Sequence, residues 1–224
     1  MSRWKQEKEM VLDTARQLVE KGLVIGASGN VSMRLNVEGA GLLAVTPTSL
    51  PYDTLSPDDI QVIDFSGKTV EGSLAPSMET NLHIGIYLSR PDVNAVIHTH
   101  AVYASAVAAT GKDIPPILDD QVIYLGGTVR CAAYALSGSR ELADNALRAL
   151  GDCGAVLLRN HGAVCVGPSL AEAMTACELL EKTASVYLLA LNAGSATELS
   201  EEAVAYDRGL YERLRENGNR GQTG

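Results

Sequence analysis

The feature that most constrains this chain is the run Val93-Asn94-Ala95-Val96-Ile97-His98-Thr99-His100, an apolar stretch ending in two histidines one residue apart. A short run of Val, Ile and Ala reads as a buried strand. Side chains two apart on a strand share a face, so two imidazoles leave its end side by side, roughly 6–7 Å apart at Cα. From there they can grip one metal ion through ring nitrogens at about 2.0–2.1 Å. The chain holds four histidines, His83, His98, His100 and His161, and three suffice for a metal site that keeps a coordination position open. His161 is the third candidate, in Asn160-His161-Gly162 after the apolar Val156-Leu157-Leu158. A lone histidine at a strand end is best read as an ordinary polar residue. A His-x-His closing one apolar strand, with a third histidine closing another, favours the metal.

Length and charge narrow the partners. At 224 residues the chain suits one domain, 1–224, with a sizeable core. With one Trp and one Phe, the interior must be filled by Val, Leu, Ile and Ala. A formal net charge of −9 without a Lys/Arg run argues against nucleic acid. An acidic protein still takes an anionic ligand where backbone N–H groups and a metal supply local positive potential. The cysteines Cys131, Cys153, Cys165 and Cys177 are scattered, without a C-x-x-C, and most sit in apolar stretches as small hydrophobes. Met1 leads into Ser2-Arg3-Trp4-Lys5-Gln6 without an apolar signal core, and no stretch is long enough to span a bilayer. The expectation is a soluble, reduced, cytoplasmic protein with no membrane partner.

Taken in order, residues 3–22 carry a helical period of apolar positions closed by Lys21-Gly22. Val31–Leu35 and Leu42–Val45 read as strands. Ile60–Asp64 and Thr69-Val70 flank the hairpin signal Ser66-Gly67-Lys68. Glu79–Leu88 reads as a helix, Val93–His98 as the histidine strand, and Ala101–Thr110 as a small-residue helix. Gln121–Tyr124 and Val129–Tyr134 read as short strands. Ser139–Leu150 is a helix capped by Ser137 or Ser139. Val156–Leu158 and Ala163–Val166 are strands hinged at residues 160–162. Ser169 opens a long helix to about Leu191, Glu172 completing a capping box and Asn192-Ala193-Gly194 ending it. Glu201–Arg215 is a last helix and residues 216–224 a frayed tail. The pattern is α/β with a mixed sheet.

Around the histidines, Pro76-Ser77-Met78-Glu79 sets a carboxylate at the first turn of a helix. Acidic residues there complement the helix dipole, while a metal site wants a nearby carboxylate as ligand or proton carrier. Position alone does not choose between these. His83, one turn beyond and on the same face, reads as a buried or supporting group rather than a ligand. Gly26-x-x-Gly29-Asn30 and Thr46-Pro47-Thr48-Ser49 are ordinary turn chemistry singly. Together with Ser77 they offer N–H groups and hydroxyls to a phosphate without Lys or Arg. Arg159 and Asn160 either steer a ligand toward His161 or simply turn the chain.

Gly29-Asn30-Val31-Ser32, Thr46-Pro47-Thr48, Pro76-Ser77-x-Glu79, Asp92 through His100 and Leu158-Arg159-Asn160-His161-Gly162 occur in one order. In this the chain resembles the class II aldolase/adducin family, from the first helix to about residue 191. The resemblance implies a three-layer α/β/α fold around a mostly antiparallel (mixed) sheet, and a homotetramer with sites at subunit interfaces. It implies Zn²⁺, or another divalent metal, on His98, His100 and His161, with Glu79 a ligand at rest and the acid/base in catalysis. It implies phosphate among Gly29, Asn30, Thr48, Ser49 and Ser77. The activity implied is a lyase of carbohydrate metabolism. It would cleave a ketose or deoxy-sugar phosphate, of the L-fuculose 1-phosphate kind, to dihydroxyacetone phosphate and a small aldehyde through a metal-stabilised enediolate. No Schiff-base lysine is needed, and none lies in an apolar stretch beside the histidines.

The chain departs from the sugar-phosphate aldolases of that family at several positions. Met78 stands where they have a second phosphate-binding serine, and its thioether donates no hydrogen bond. Ser49 replaces a glycine. Asp119-Asp120 falls near one substrate-facing aromatic and Ser137 replaces another, with Tyr124, Tyr206 and Tyr211 as substitutes. Alternative readings are epimerisation, decarboxylation or dehydration of a phosphorylated sugar or sugar acid on the same metal, and a non-enzymatic adducin-like interaction module. The epimerases carry aspartate where Glu79 stands, and adducin-like domains lack the histidine set.

Overall fold

The structure is a computed structural model describing residues 3–37 and 40–220, with only the backbone of Ala40 and of residues 217–220. In chain order the elements are α1 (Lys5–Glu20), β1 (Asn30–Val37), β2 (Ala40–Val45), a 3₁₀ turn at Pro57–Asp59, β3 (Gln61–Asp64), β4 (Thr69–Glu71), α2 (Thr80–Ser89) and β5 (Ala95–Thr99). Then come α3 (Val102–Thr110), α4 (Asp119–Leu125), β6 (Cys131–Ala132), α5 (Arg140–Leu150), β7 (Ala155–Leu158), β8 (Gly162–Gly167), α6 (Leu170–Ala193) and α7 (Glu201–Arg220).

The strands join in one sheet of order β4-β3-β2-β1-β5-β8-β7-β6. Every pair is antiparallel except β6 with β7, so the sheet is mixed and mostly antiparallel, as expected. Strand alternation sends successive side chains into two cores. Ala95 and Ile97 of β5, with Val31, Leu42 and Cys165, pack under α1, α3 and α6. Val96, with Leu43, Val156 and Val164, packs under α2 and α5. Each fully buried Val or Ile stabilises by roughly 1.5–3 kcal/mol, so β5 is held from both sides and cannot slip register without inverting both cores. The histidine strand is the middle of a three-layer α/β/α sandwich.

The segment Gln121–Tyr124 is not a strand; it lies in α4. The apolar run Val122–Leu125 carries no period that tells strand from helix. Asp119 and Asp120 in the first turn suit a helix N-terminus, and Gly126 at φ +88 stops the helix. Burial of Gln121 completes the case, since its side chain bonds Pro115 O at 2.9 Å and Gly127 O at 3.0 Å and accepts the Ile117 N–H at 3.0 Å. Of Val129–Tyr134 only Cys131 and Ala132 join the sheet, parallel to Leu157 and Leu158, while Val129 bridges Ile114. The last helix runs on to Arg220 and so takes in residues 216–220; 221–224 lie outside the described residues. Ser169 caps α6 by accepting the Glu172 N–H at 3.2 Å, but the Glu172 carboxylate accepts the Ser169 hydroxyl at 2.8 Å in place of its backbone N–H, so only half of the expected capping box forms. Ser139 rather than Ser137 caps α5. Among the described residues no helix is long and apolar enough to cross a membrane.

Candidate active site

β5 ends where its neighbours β1 and β8 begin, in the middle of the sheet, and these strand ends assemble a cleft. His98 is the fourth residue of β5, paired with Val164 of β8 and Asn30 of β1. His100 follows just past the strand. His161 closes a tight turn from β7 into β8, its N–H on Leu158 O at 3.0 Å, with Asn160 at φ +56. Asn tolerates that left-handed conformation, so its role here is to make the turn. Gly162 is needed next, because a Cβ there would lie 2.3 Å from Thr99 O and 2.9 Å from the His100 ring. Without a side chain, β8 closes on β5 and brings His161 against His100.

The three rings meet edge to face. Centroids lie 4.7 Å apart for His98–His100 and His98–His161 and 5.0 Å for His100–His161. Their ligand-type nitrogens all fall within 4.8 Å of one another. His98 Nδ1 is 2.9 Å from the Ala163 carbonyl, which can only accept, so Nδ1 carries the proton and the lone pair is on Nε2. That Nε2 faces Nε2 of His100 at 2.9 Å. Burial, then the neighbouring His161 and His100, push His98 well below 6.5. Burial and His161 lower His100, and burial lowers His161 against the pull of Glu79. All three are therefore neutral near pH 7, the state in which an imidazole binds metal.

Glu79 is the residue before α2, and its side chain makes no capping bond. Instead Oε1 accepts the Ser137 hydroxyl, and the Gly138 N–H at 3.2 Å, and lies 3.9 Å from His161 Nε2. Oε2 is buried with no hydrogen-bond partner. Three converging lone pairs beside an orphaned buried carboxylate oxygen are the donor set of a divalent cation. The residues present fit that group.

Gly29, Asn30, Thr48, Ser49, Ser77 and Met78 line the same cleft. Thr46–Thr48 and Ala75–Ser77 run antiparallel, through Thr48 N–H to Ala75 O at 3.0 Å and Ser77 N–H to Thr46 O at 3.1 Å. The Ser77 hydroxyl accepts the Glu79 N–H at 3.2 Å. Asn30 is buried and its Oδ1 has no partner. Gly29 O accepts the Tyr52 hydroxyl, fixing the loop. Among the described residues lining this cleft, none is Lys or Arg.

Other candidates fall outside the cleft. His83 is fully buried, its Nδ1 2.6 Å from Ser32 Oγ, which also lies 2.8 Å from the Tyr87 hydroxyl. Arg159 packs against Gly111. Asp120 pairs with Lys182. Tyr211 donates to Asp152 O at 2.9 Å and accepts from Arg215 at 2.6 Å, while Tyr124 and Tyr206 are exposed on the outer surface. The contact that sequence reasoning missed is Ser137 on Glu79, formed across 58 positions. Its only local signal is the Ser-Gly-Ser turn, in which one serine suffices to cap α5.

Residues 9–188 match the family described as Class II Aldolase and Adducin N-terminal domain. The chain is 34% identical over 197 residues to a 5-deoxy-D-ribulose 1-phosphate aldolase of Bacillus thuringiensis serovar kurstaki, covering 88% of this chain and 91% of that one. It is 38% identical over 196 residues to the L-fuculose phosphate aldolase of Escherichia coli K12, covering 87% and 89%. A solved L-fuculose 1-phosphate aldolase superposes with a TM-score of 0.88 at 33% identity, over 96% of this chain and 98% of that one.

Proposed function

The chain belongs to the class II aldolase and adducin family, and from that membership we propose that it is a metal-dependent aldolase acting on a ketose 1-phosphate. Its products are dihydroxyacetone phosphate and a small aldehyde. The observation that carries this reading is the meeting of His98, His100 and His161 beside Glu79 in an open cleft. Zn²⁺, or another divalent cation, is held by His98, His100 and His161, with Glu79 as a further ligand at rest. When bound it supplies a Lewis acid that stabilises negative charge on substrate oxygen.

The chain's own residues do the rest. Ala163 O fixes the His98 tautomer and ring. The N–H groups of Gly29 and Ser49, the hydroxyls of Thr48 and Ser77 and the buried Asn30 side-chain amide hold the phosphate. Glu79 moves the proton. In condensation it takes a proton from the carbon next to the carbonyl of dihydroxyacetone phosphate: the C–H bond breaks, a carboxyl O–H forms, the electron pair attacks the aldehyde carbon, and the aldehyde C=O π bond opens onto its oxygen, which takes a proton from water in the cleft. In cleavage that hydroxyl returns its proton to water, the C=O re-forms as the C–C bond opens, and the Glu79 carboxyl gives its proton to the carbon left behind.

We read residues 1–224 as one domain of a cytoplasmic homotetramer. Exposed apolar side chains lie near the cleft residues in sequence, among them Ile25, Met78, Val102, Tyr134 and Leu136, and these are the side chains that subunit contacts would cover. The test is to measure metal content and then offer dihydroxyacetone phosphate with a panel of aldehydes. Metal-dependent formation of a new ketose phosphate is expected. A loaded protein that forms no carbon–carbon bond, but inverts or decarboxylates a sugar phosphate, would replace the aldolase reading.

A further inference from the structure

The turn Leu136–Ser139 gives its two serines different tasks. Ser139 caps α5 by accepting the Leu142 N–H at 3.1 Å, and its own N–H closes the turn on Leu136 O at 3.0 Å. Ser137 is left free of the helix, and its hydroxyl donates to Glu79 Oε1. The Gly138 N–H donates to the same oxygen at 3.2 Å. Gly138 sits at φ +73, and a Cβ on it would lie 3.0 Å from the Met78 carbonyl. The turn therefore presses against residues 78 and 79 only as glycine.

These contacts make one carboxylate asymmetric. Oε1 has two donors; Oε2 is buried and has none. A buried polar atom without a partner is costly; Glu79 lines the cleft, and Oε2 is the oxygen that the turn leaves unbonded. The terminal torsion of a glutamate is broad and nearly two-fold, so nothing intrinsic to the side chain decides which oxygen is presented. We propose that Ser137 is a positioning residue for Glu79, locking Oε1 so that Oε2 is the oxygen that exchanges the proton with substrate carbon. In that step the C–H bond breaks, the O–H bond forms on Oε2, and the electron pair delocalises onto the substrate carbonyl.

This inference rests on the aldolase reading, and the experiment separates the two. Wild type, Ser137→Ala and Ser137→Thr are compared for hydrogen exchange on dihydroxyacetone phosphate in D₂O, followed by NMR. The same proteins, with Glu79→Gln as reference, are stripped of metal, reloaded with Co²⁺ and compared by visible absorption. Ser137→Ala should lose roughly 10- to 100-fold in exchange kcat, as for a hydrogen bond to a charged group, with KM unchanged. Ser137→Thr, which keeps the hydroxyl, should recover most of the rate. The Co²⁺ spectrum of Ser137→Ala should shift toward that of Glu79→Gln with full Co²⁺ content, while Ser137→Thr keeps the wild-type spectrum. Wild-type exchange and spectrum in Ser137→Ala overturn the proposal, as does a Ser137→Thr variant as slow as the alanine. A wild type that exchanges nothing removes the aldolase reading, and the Co²⁺ spectra still decide whether Ser137 holds Glu79.

Discussion

The two halves of the cleft are built from opposite materials. The histidine half uses side chains, each aimed by rigid backbone: His98 by the Ala163 carbonyl, His161 by the turn that Gly162 lets close on β5. The half lined by Gly29, Asn30, Thr48, Ser49 and Ser77 uses loop backbone and short hydroxyls, without a Lys or Arg among the lining residues described. A metal needs lone pairs at fixed angles, which only ordered side chains supply. An anion needs only donors, and backbone N–H groups supply them with no side-chain entropy to lose. A lysine placed there would also repel a cation held by the histidines.

If that contrast is right, damage to the two halves should look different. The largest effect is expected from His98→Ala, which removes the ring shared by both close pairs. Metal content by elemental analysis should fall to background and activity with it; a normal metal complement in that variant would break the contrast outright. Next is Glu79→Gln, which keeps shape but not the base. Exchange on dihydroxyacetone phosphate should drop by roughly 10²–10⁴ while metal stays bound. Full exchange would remove Glu79 from the chemistry.

The same contrast explains what could be read from the residues alone. His98 and His100 declare themselves because a strand period of two is short-range and needs no knowledge of the fold. His161 follows from its place in the turn after the apolar Val156–Leu158. The Ser137–Glu79 bond was illegible, since it depends on how the turn before α5 meets the start of α2. α4 was misread because Val122-Ile123-Tyr124-Leu125 is apolar without a period, and its fate is settled by packing against α6 and α7. The other half is legible only in combination and through the family resemblance: its glycines and hydroxyls, taken singly, are what any loop contains.

Close to the histidine half lies a buried polar cluster of His83, Ser32 and Tyr87, and acid should undo it. Burial pushes His83 down to about 3 from an ordinary 6.5. As pH falls, the unfolded chain takes up this proton first. The stability tied to neutral His83 is thus fully present above pH 6.5 and lost progressively toward pH 3. The loss is about 1.4 kcal/mol per pH unit within that window. His98, His100 and His161 are lowered too and act with the same sign. Denaturant midpoints measured on metal-free protein between pH 7 and 4 should fall, and less steeply in His83→Gln. An identical slope in the variant would show that His83 is not the group being titrated.

The smallest effect belongs to the anion half and tests whether it is truly a backbone device. Ser49 lies at φ +58, a conformation costing a residue with a Cβ about 1 kcal/mol or more relative to glycine. Ser49→Gly should relieve that strain, partly offset by the looser unfolded chain, for a net gain of up to about 1 kcal/mol in thermal unfolding. Because the amide N–H survives the substitution, KM for dihydroxyacetone phosphate should stay near wild type. The hydroxyl that is lost faces Thr48 Oγ1 at 3.3 Å, a neighbour that keeps its own donor. A clear rise in KM would mean that the anion is held by the Ser49 side chain, and the two halves would then differ only in which side chains they use.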